Sequence, residues 1–169
     1  PATGPVVLIA EARLGAQAAQ WISELSAQGI DATLLPAHEL ATAAARAQIA
    51  RALASPVAPA ARGHIVHLGA LACPVADSGL DWIEHSWQCI GDDTLALARH
   101  VAALEDIAAP RLWLVTRHAM RTGHQSESPA GGANAGPGQA ALWGLGRVWA
   151  HEQPALDLTL VDLDAASPA

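Results

Sequence analysis

The sequence predicts an α/β fold, a doubly wound and mainly parallel sheet of about five strands with flanking helices. Three observations carry this. Short apolar runs suited to buried strands alternate five times with helical periodicity or loop-to-helix stretches. The chain has 169 residues, of which 51% are hydrophobic, enough for one domain with a real core. Gly and Pro stand at the expected breaks between these segments.

The elements follow in order. "PVVLIA" (5–10) is a continuous apolar run, as in a buried parallel strand. Leu14, Ala18, Trp21, Ile22 and Leu25 then recur at helical spacing, and Gly29 caps that helix. "IDATLLP" (30–36) reads as the second strand, and the alanine-rich stretch 38–53 as a helix by propensity. "SPVAPAARG" (55–63) is a loop, and "HIVHLGAL" (64–71) the third strand. A Pro-, Ser- and Gly-containing loop covers 74–79. A helix is expected over roughly 88–108, with Leu97, Val101 and Leu104 on one face. "PRLWLVTR" (110–117) is the fourth strand, and 118–138 a long polar, glycine-rich loop. A helix through 138–152 and the strand "LTLVDLD" (158–164) close the pattern. The tail 165–169 reads as a linker to a following domain.

Composition removes several function classes. The formal net charge is -7, with 9 basic residues against 16 acidic ones, a balance that disfavours nucleic acid or an anionic membrane as partner. No apolar run approaches the ~20 residues that span a bilayer, and the N-terminal stretch is a poor signal peptide. A cytoplasmic protein is expected. Two cysteines, Cys73 and Cys89, need no disulfide framework. The chain has no Tyr, no Phe and no Lys, so it cannot supply a phenol or a lysine amine to a reaction.

The motifs that such a fold invites are weak. A dinucleotide site needs glycines in the first strand-to-helix turn, so that the backbone can approach a pyrophosphate. That turn, "IAEARLGAQ", has only Gly15, while Glu11 would repel phosphate. Leu34, Leu35 and Pro36 stand where an acidic ribose ligand belongs. "GGANAGPG" lacks the Lys and hydroxyl residue of a phosphate loop. His64 and His67, three apart on a strand, point to opposite faces, and no four-ligand metal pattern occurs. No nucleophile elbow is present. Cys89 reads as core, and neither cysteine has an evident activating partner.

The stretch "GQAALWGLGRVWAHEQPAL" (138–156) is the unusual one. A glycine costs about 1 kcal/mol in a helix interior relative to alanine, yet Gly144 and Gly146 flank one residue of this helix. They lie roughly 200° apart around it, which would let a strand or a second helix come close. Trp143 and Trp149 are large anchors. Arg147 and Glu152 are too far apart for an i,i+4 pair, so tertiary partners are expected for them. A packing surface explains this composition better than a catalytic one.

"PRLWLVTR", a variable loop, "QAALWGLGRVWAHEQP" and "LTLVDLD", in that order, resemble the ketoreductase region of modular type I polyketide synthases. More narrowly they resemble its structural subdomain, and "VVLIA", "GIDATLLP" and "GHIVHLGAL" fit upstream. The resemblance implies a truncated Rossmann-like fold for residues 1–169. It also implies a noncatalytic half with no cofactor or metal of its own. That half braces a catalytic half, which binds NADPH and reduces β-ketoacyl thioesters on an acyl carrier protein. No catalytic residue of the family has a position here. Trp143, Gly144, Gly146, Arg147 and Glu152 match the motif and are the expected subdomain-interface residues. His118 departs from the small residue usual after "VTR". Three other readings stay open. One is a pseudo-ketoreductase brace for a methyltransferase, or for another neighbour such as an enoyl reductase. Another is a self-sufficient small nucleotide-binding enzyme. The third is a free-standing interaction protein.

Overall fold

The computed structural model describes residues 4–54, 61–73, 84, 86–104, 108–120 and 137–163. Five strands form one sheet: β1 (Val6–Ala10), β2 (Ala32–Pro36), β3 (His64–His67), β4 (Arg111–Arg117) and β5 (Asp157–Leu163). Their spatial order is β2-β1-β3-β4-β5, and every pairing is parallel. The order reverses direction between β1 and β3, so the crevice of the sheet opens at the carboxyl ends of those two strands.

Among the described residues, four α-helices flank the sheet: α1 (Gly15–Ala27), α2 (Ala45–Leu53), α3 (Asp93–Ala102) and α4 (Pro137–Glu152). They are shared unequally between its faces. Helices α2, α3 and α4 contribute Ile49, Leu53, Leu97, Val101, Leu142 and Trp149 to a large core against Val7, Ile9, Ile65, Leu112 and Leu114. The other face carries a smaller cluster, in which α1 packs Ala18 and Trp21, with Leu14 just before it, against Ala10, Leu34, Val66 and Val115. The apolar run 5–10 is buried along its strand, as a central parallel strand requires.

Gly29 caps α1 as expected. Its φ is 76°, its N–H donates to the Ser26 carbonyl (2.9 Å), and Ile30 N–H donates to Leu25 O (3.0 Å). This is the paired bonding of a Schellman cap, which places the left-handed residue where glycine is least strained.

Three expected elements differ from the sequence reading. The helix expected over 38–53 is split into a 3-10 turn, Ala37–Ala41, and α2. Alanine propensity favours one long helix. Burial of both Leu40 and Ile49 in the same core selects the break instead. The third strand ends at His67, and 69–72 form a 3-10 turn that brings Ala70 and Ala72 into the interior. The helix expected over 88–108 begins with a π-turn, Gln88–Asp92, and its α-helical part ends at Ala102. Leu97 and Val101 are buried as expected, with Leu104 packed at their edge. Most of the glycine-rich loop and the tail 165–169 lie outside the described residues.

Candidate functional site

The tryptophan–glycine helix, α4, is tied to the last two strands by a chain of polar contacts. Gln139 is buried in its first turn and its Oε1 accepts the Arg117 backbone N–H at 2.8 Å. Trp143 Nε1 donates to Thr116 Oγ1 at 3.0 Å. Thr116, fully buried, lies 2.8 Å from Asp162 Oδ1 and 3.2 Å from the Val161 carbonyl. The Asp162 carboxylate also accepts the backbone N–H groups of Ala119 and Met120, both at 2.9 Å. Charge-assisted bonds of this kind are about twice as strong as neutral ones. They hold the chain just after β4, where His118 takes a left-handed φ of 54°.

The two glycines have different causes. A Cβ on Gly146 would stand 2.8 Å from Leu160 Cδ2 and 3.2 Å from Leu114 Cδ1, so this glycine lets α4 lie close on its own sheet. A Cβ on Gly144 would meet nothing within 4 Å. Nothing among the described residues offsets its helix cost. Trp149 is buried and Trp143 half-buried.

Among the described residues, the interaction Arg147 makes is local rather than tertiary. It lies over the Trp143 ring one turn back, 5.8 Å from its centroid, a cation–π contact at helical spacing. Glu152 is exposed. The five residues singled out by sequence therefore divide. Trp143 and Gly146 serve the sheet, while Gly144, Arg147 and Glu152 lie on exposed positions of α4. That outer surface continues into a groove of about 240 Å3 between α3 and α4, lined by Leu95, Ala98, Arg99, Leu145, Val148 and Glu152. Val148 is 54% exposed there, high for an apolar side chain in a packed domain.

A second group lies around the carboxyl end of β1. Glu11 directly follows that strand, and Arg13 sits in the 3-10 turn Ala12–Leu14, reaching across to donate from Nη1 to the Ala72 carbonyl (3.2 Å). Burial, and next the neighbouring Glu11, push the Asp93 carboxyl up to about 7. Cys73 and Cys89 approach each other close by. The sequence gives neither cysteine a visible partner and does not pair Glu11 with Asp93. They stand 16 and 82 residues apart, and only the parallel topology brings such pairs together. Gly15 has open space where a Cβ would go, so its lack of a side chain admits no close neighbour.

His64 and His67 fall on opposite faces, as their spacing implies. His64 is half-buried and accepts a bond at Nδ1 from Trp113 Nε1 (3.2 Å). His67 is fully buried, neither ring nitrogen has a partner among the described residues, and burial lowers its pKa to about 4. No group of three or more potential metal ligands occurs among the described residues. No helix among them is long and apolar enough to cross a membrane.

The chain is 36% identical over 97 residues to a phenolphthiocerol/phthiocerol polyketide synthase protein of Mycobacterium tuberculosis (strain CDC 1551 / Oshkosh). The same figures hold for its counterpart in Mycobacterium bovis (strain ATCC BAA-935 / AF2122/97). Each match takes in 57% of this chain and 6% of the relative. The fold is similar to that of a C2-type ketoreductase from a modular polyketide synthase. Its TM-score is 0.60 at 23% identity, covering 98% of this chain and 33% of that one. The family model for the Rossmann fold domain of the polyketide synthase extender module SpnB matches residues 1–169. The chain belongs to that family of polyketide synthase Rossmann fold domains.

Proposed function

We propose that this chain is the noncatalytic structural half of a polyketide synthase ketoreductase, and that it braces an NADPH-binding catalytic half. The observation that carries the reading is the chemistry at the carboxyl end of β1. A sheet of this order binds nucleotide phosphates there, on glycine backbone N–H groups at a helix start. Here Glu11 and Asp93 place two carboxyl groups at that end, and Gly15 is alone in the turn. Glu11 beside the turn repels a pyrophosphate, and the Asp93 carboxyl packed next to it supplies no compensating positive charge, so these residues do not fit NADPH.

The partner half must then supply the cofactor, the phenol and the lysine. What this chain contributes is a fixed surface. Groups that act on a carbonyl must be held within about half an ångström of their working geometry. Helix α4 is anchored to β4 and β5 through Gln139, Trp143 and Thr116, and it presents Gly144, Arg147 and Val148 outward. An exposed helix glycine with open space above it is where a neighbouring backbone can approach. A fluorescence titration of NADPH against this chain tests the reading. No saturable change up to millimolar cofactor is expected; a saturable one would support the self-sufficient nucleotide-binding reading instead.

A further inference from the structure

Cys73 and Cys89 form a pair that a bracing role leaves unused. Cys73 closes the 3-10 turn after β3, donating its N–H to the Ala70 carbonyl at 3.1 Å. Cys89 lies in the π-turn that leads into α3. Both are buried in the same core cluster, and their side chains are within hydrogen-bonding contact. They are thiols, not joined in a disulfide. The backbones on either side are also close: a Cβ on Gly69 would stand 2.9 Å from the Cys89 carbonyl oxygen. Two thiols already in contact need little movement to reach disulfide geometry.

Their surroundings make them unequal. The hydrogen bond from Cys89 pushes the Cys73 thiol down against the opposing effect of burial, with help from Ser86 and the Arg13 charge. The same contact, then burial, pushes the Cys89 thiol up. Cys73 also lies nearer the surface, 8% exposed against 1% for Cys89. The charge of Glu11 acts against ionisation of both thiols, and that of Asp93 against Cys89.

We propose that Cys73 and Cys89 are an oxidisable dithiol that reacts with a small-molecule disulfide of the glutathione class. The Cys73 thiolate attacks one sulfur of that disulfide. A Cys73–sulfur bond forms, the small molecule's S–S bond breaks, and one thiolate leaves with the proton that Cys73 released. Cys89 then gives up its proton and attacks Cys73 Sγ. The mixed disulfide breaks, and the second small thiolate departs and takes up that proton. Two protein thiols become one disulfide, and one small disulfide becomes two thiols. The new bond staples the turn after β3 to the start of α3, closing the chain between residues 73 and 89.

The test uses the unmodified full chain, incubated with glutathione disulfide under native conditions and weighed intact after alkylation. The expected product has lost two hydrogens, carries no glutathione and no alkyl group on either cysteine, and returns to the starting mass with dithiothreitol. Its Tm should rise by about 5–10 °C through the loop that is closed. Cys89→Ser should instead stop at the mixed disulfide, holding one glutathione on Cys73. Two alkylated thiols in the unmodified chain, or stable glutathione adducts without linkage, would overturn the proposal, whether or not the variant folds.

Discussion

Gly144 and Gly146 look alike in sequence and differ in physics. Replacing Gly144 by Ala adds a methyl group to open space and removes a helix-interior glycine. Stability should rise by about 0.5–1 kcal/mol in urea denaturation. Gly146→Ala gains the same propensity, but its methyl group meets Leu160 at 2.8 Å and Leu114 at 3.2 Å. Overpacking costs about 1–3 kcal/mol, so a net loss of about 1 kcal/mol is expected. Equal effects at the two positions would contradict the account. The sequence shows that both glycines need a reason, and their angular separation shows that the reasons lie on different sides. It does not show which side meets the sheet, because that depends on the rotation of α4 about its axis. Among the described residues, Arg147 lies over the ring of Trp143, its neighbour one turn away, a local contact that helical spacing makes available.

At the scale of elements, the sequence is legible wherever hydrophobic periodicity is strong. All five strands lie where the apolar runs place them, with ends shifted by a few residues. The alanine-rich stretch 38–53 is harder, since its propensity is helical throughout while its burial is not continuous. The role of Asp162 is invisible in sequence. In "LTLVDLD" it reads as a polar residue near a strand end, yet it bonds to Thr116 in β4 and accepts two backbone N–H groups from the chain just after it. Asp162→Ala should lose about 2 kcal/mol, given half-buried, charge-assisted bonds. Hydrogen exchange should localise the effect, with faster exchange at Ala119 and Met120 and little change in β1. Uniform loss of protection across the sheet would mean that Asp162 supports global packing rather than this junction. Gly29→Ala should cost about 1 kcal/mol, the strain of a left-handed alanine, measured by the same denaturation.

For the whole molecule, two buried groups give opposing pH dependences. Unfolded His67 takes up a proton below 6.5, but folded His67 does so only near 4. Its favourable contribution is complete above 6.5 and is lost as pH falls toward 4. Folded Asp93 keeps its proton up to about 7, whereas the unfolded side chain releases it near 3.8. Its contribution is complete below 3.8 and is lost as pH rises toward 7. Between these limits the slopes cancel, and unfolding free energy should be nearly flat. Asp93→Asn removes one of them, so stability should then rise with pH across that window by up to about 1.4 kcal/mol per unit. A variant profile as flat as the original would show that His67 is not held neutral by burial.

The proposal that this domain supports a reductase without performing the reduction belongs to the same scale. Sequence reaches the family through long motifs and excludes a phenol and a lysine by composition. It does not show that the exposed surface of α4 carries an unexplained glycine beside an apolar groove. The most direct measurement expresses this chain and the proposed catalytic half as two polypeptides and follows NADPH oxidation with a β-ketoacyl thioester. The account predicts little turnover from either piece alone and recovery when they are combined, weakened by Gly144→Trp in the bracing chain. Full turnover by the proposed catalytic half alone, or NADPH oxidation by this chain alone, would contradict it.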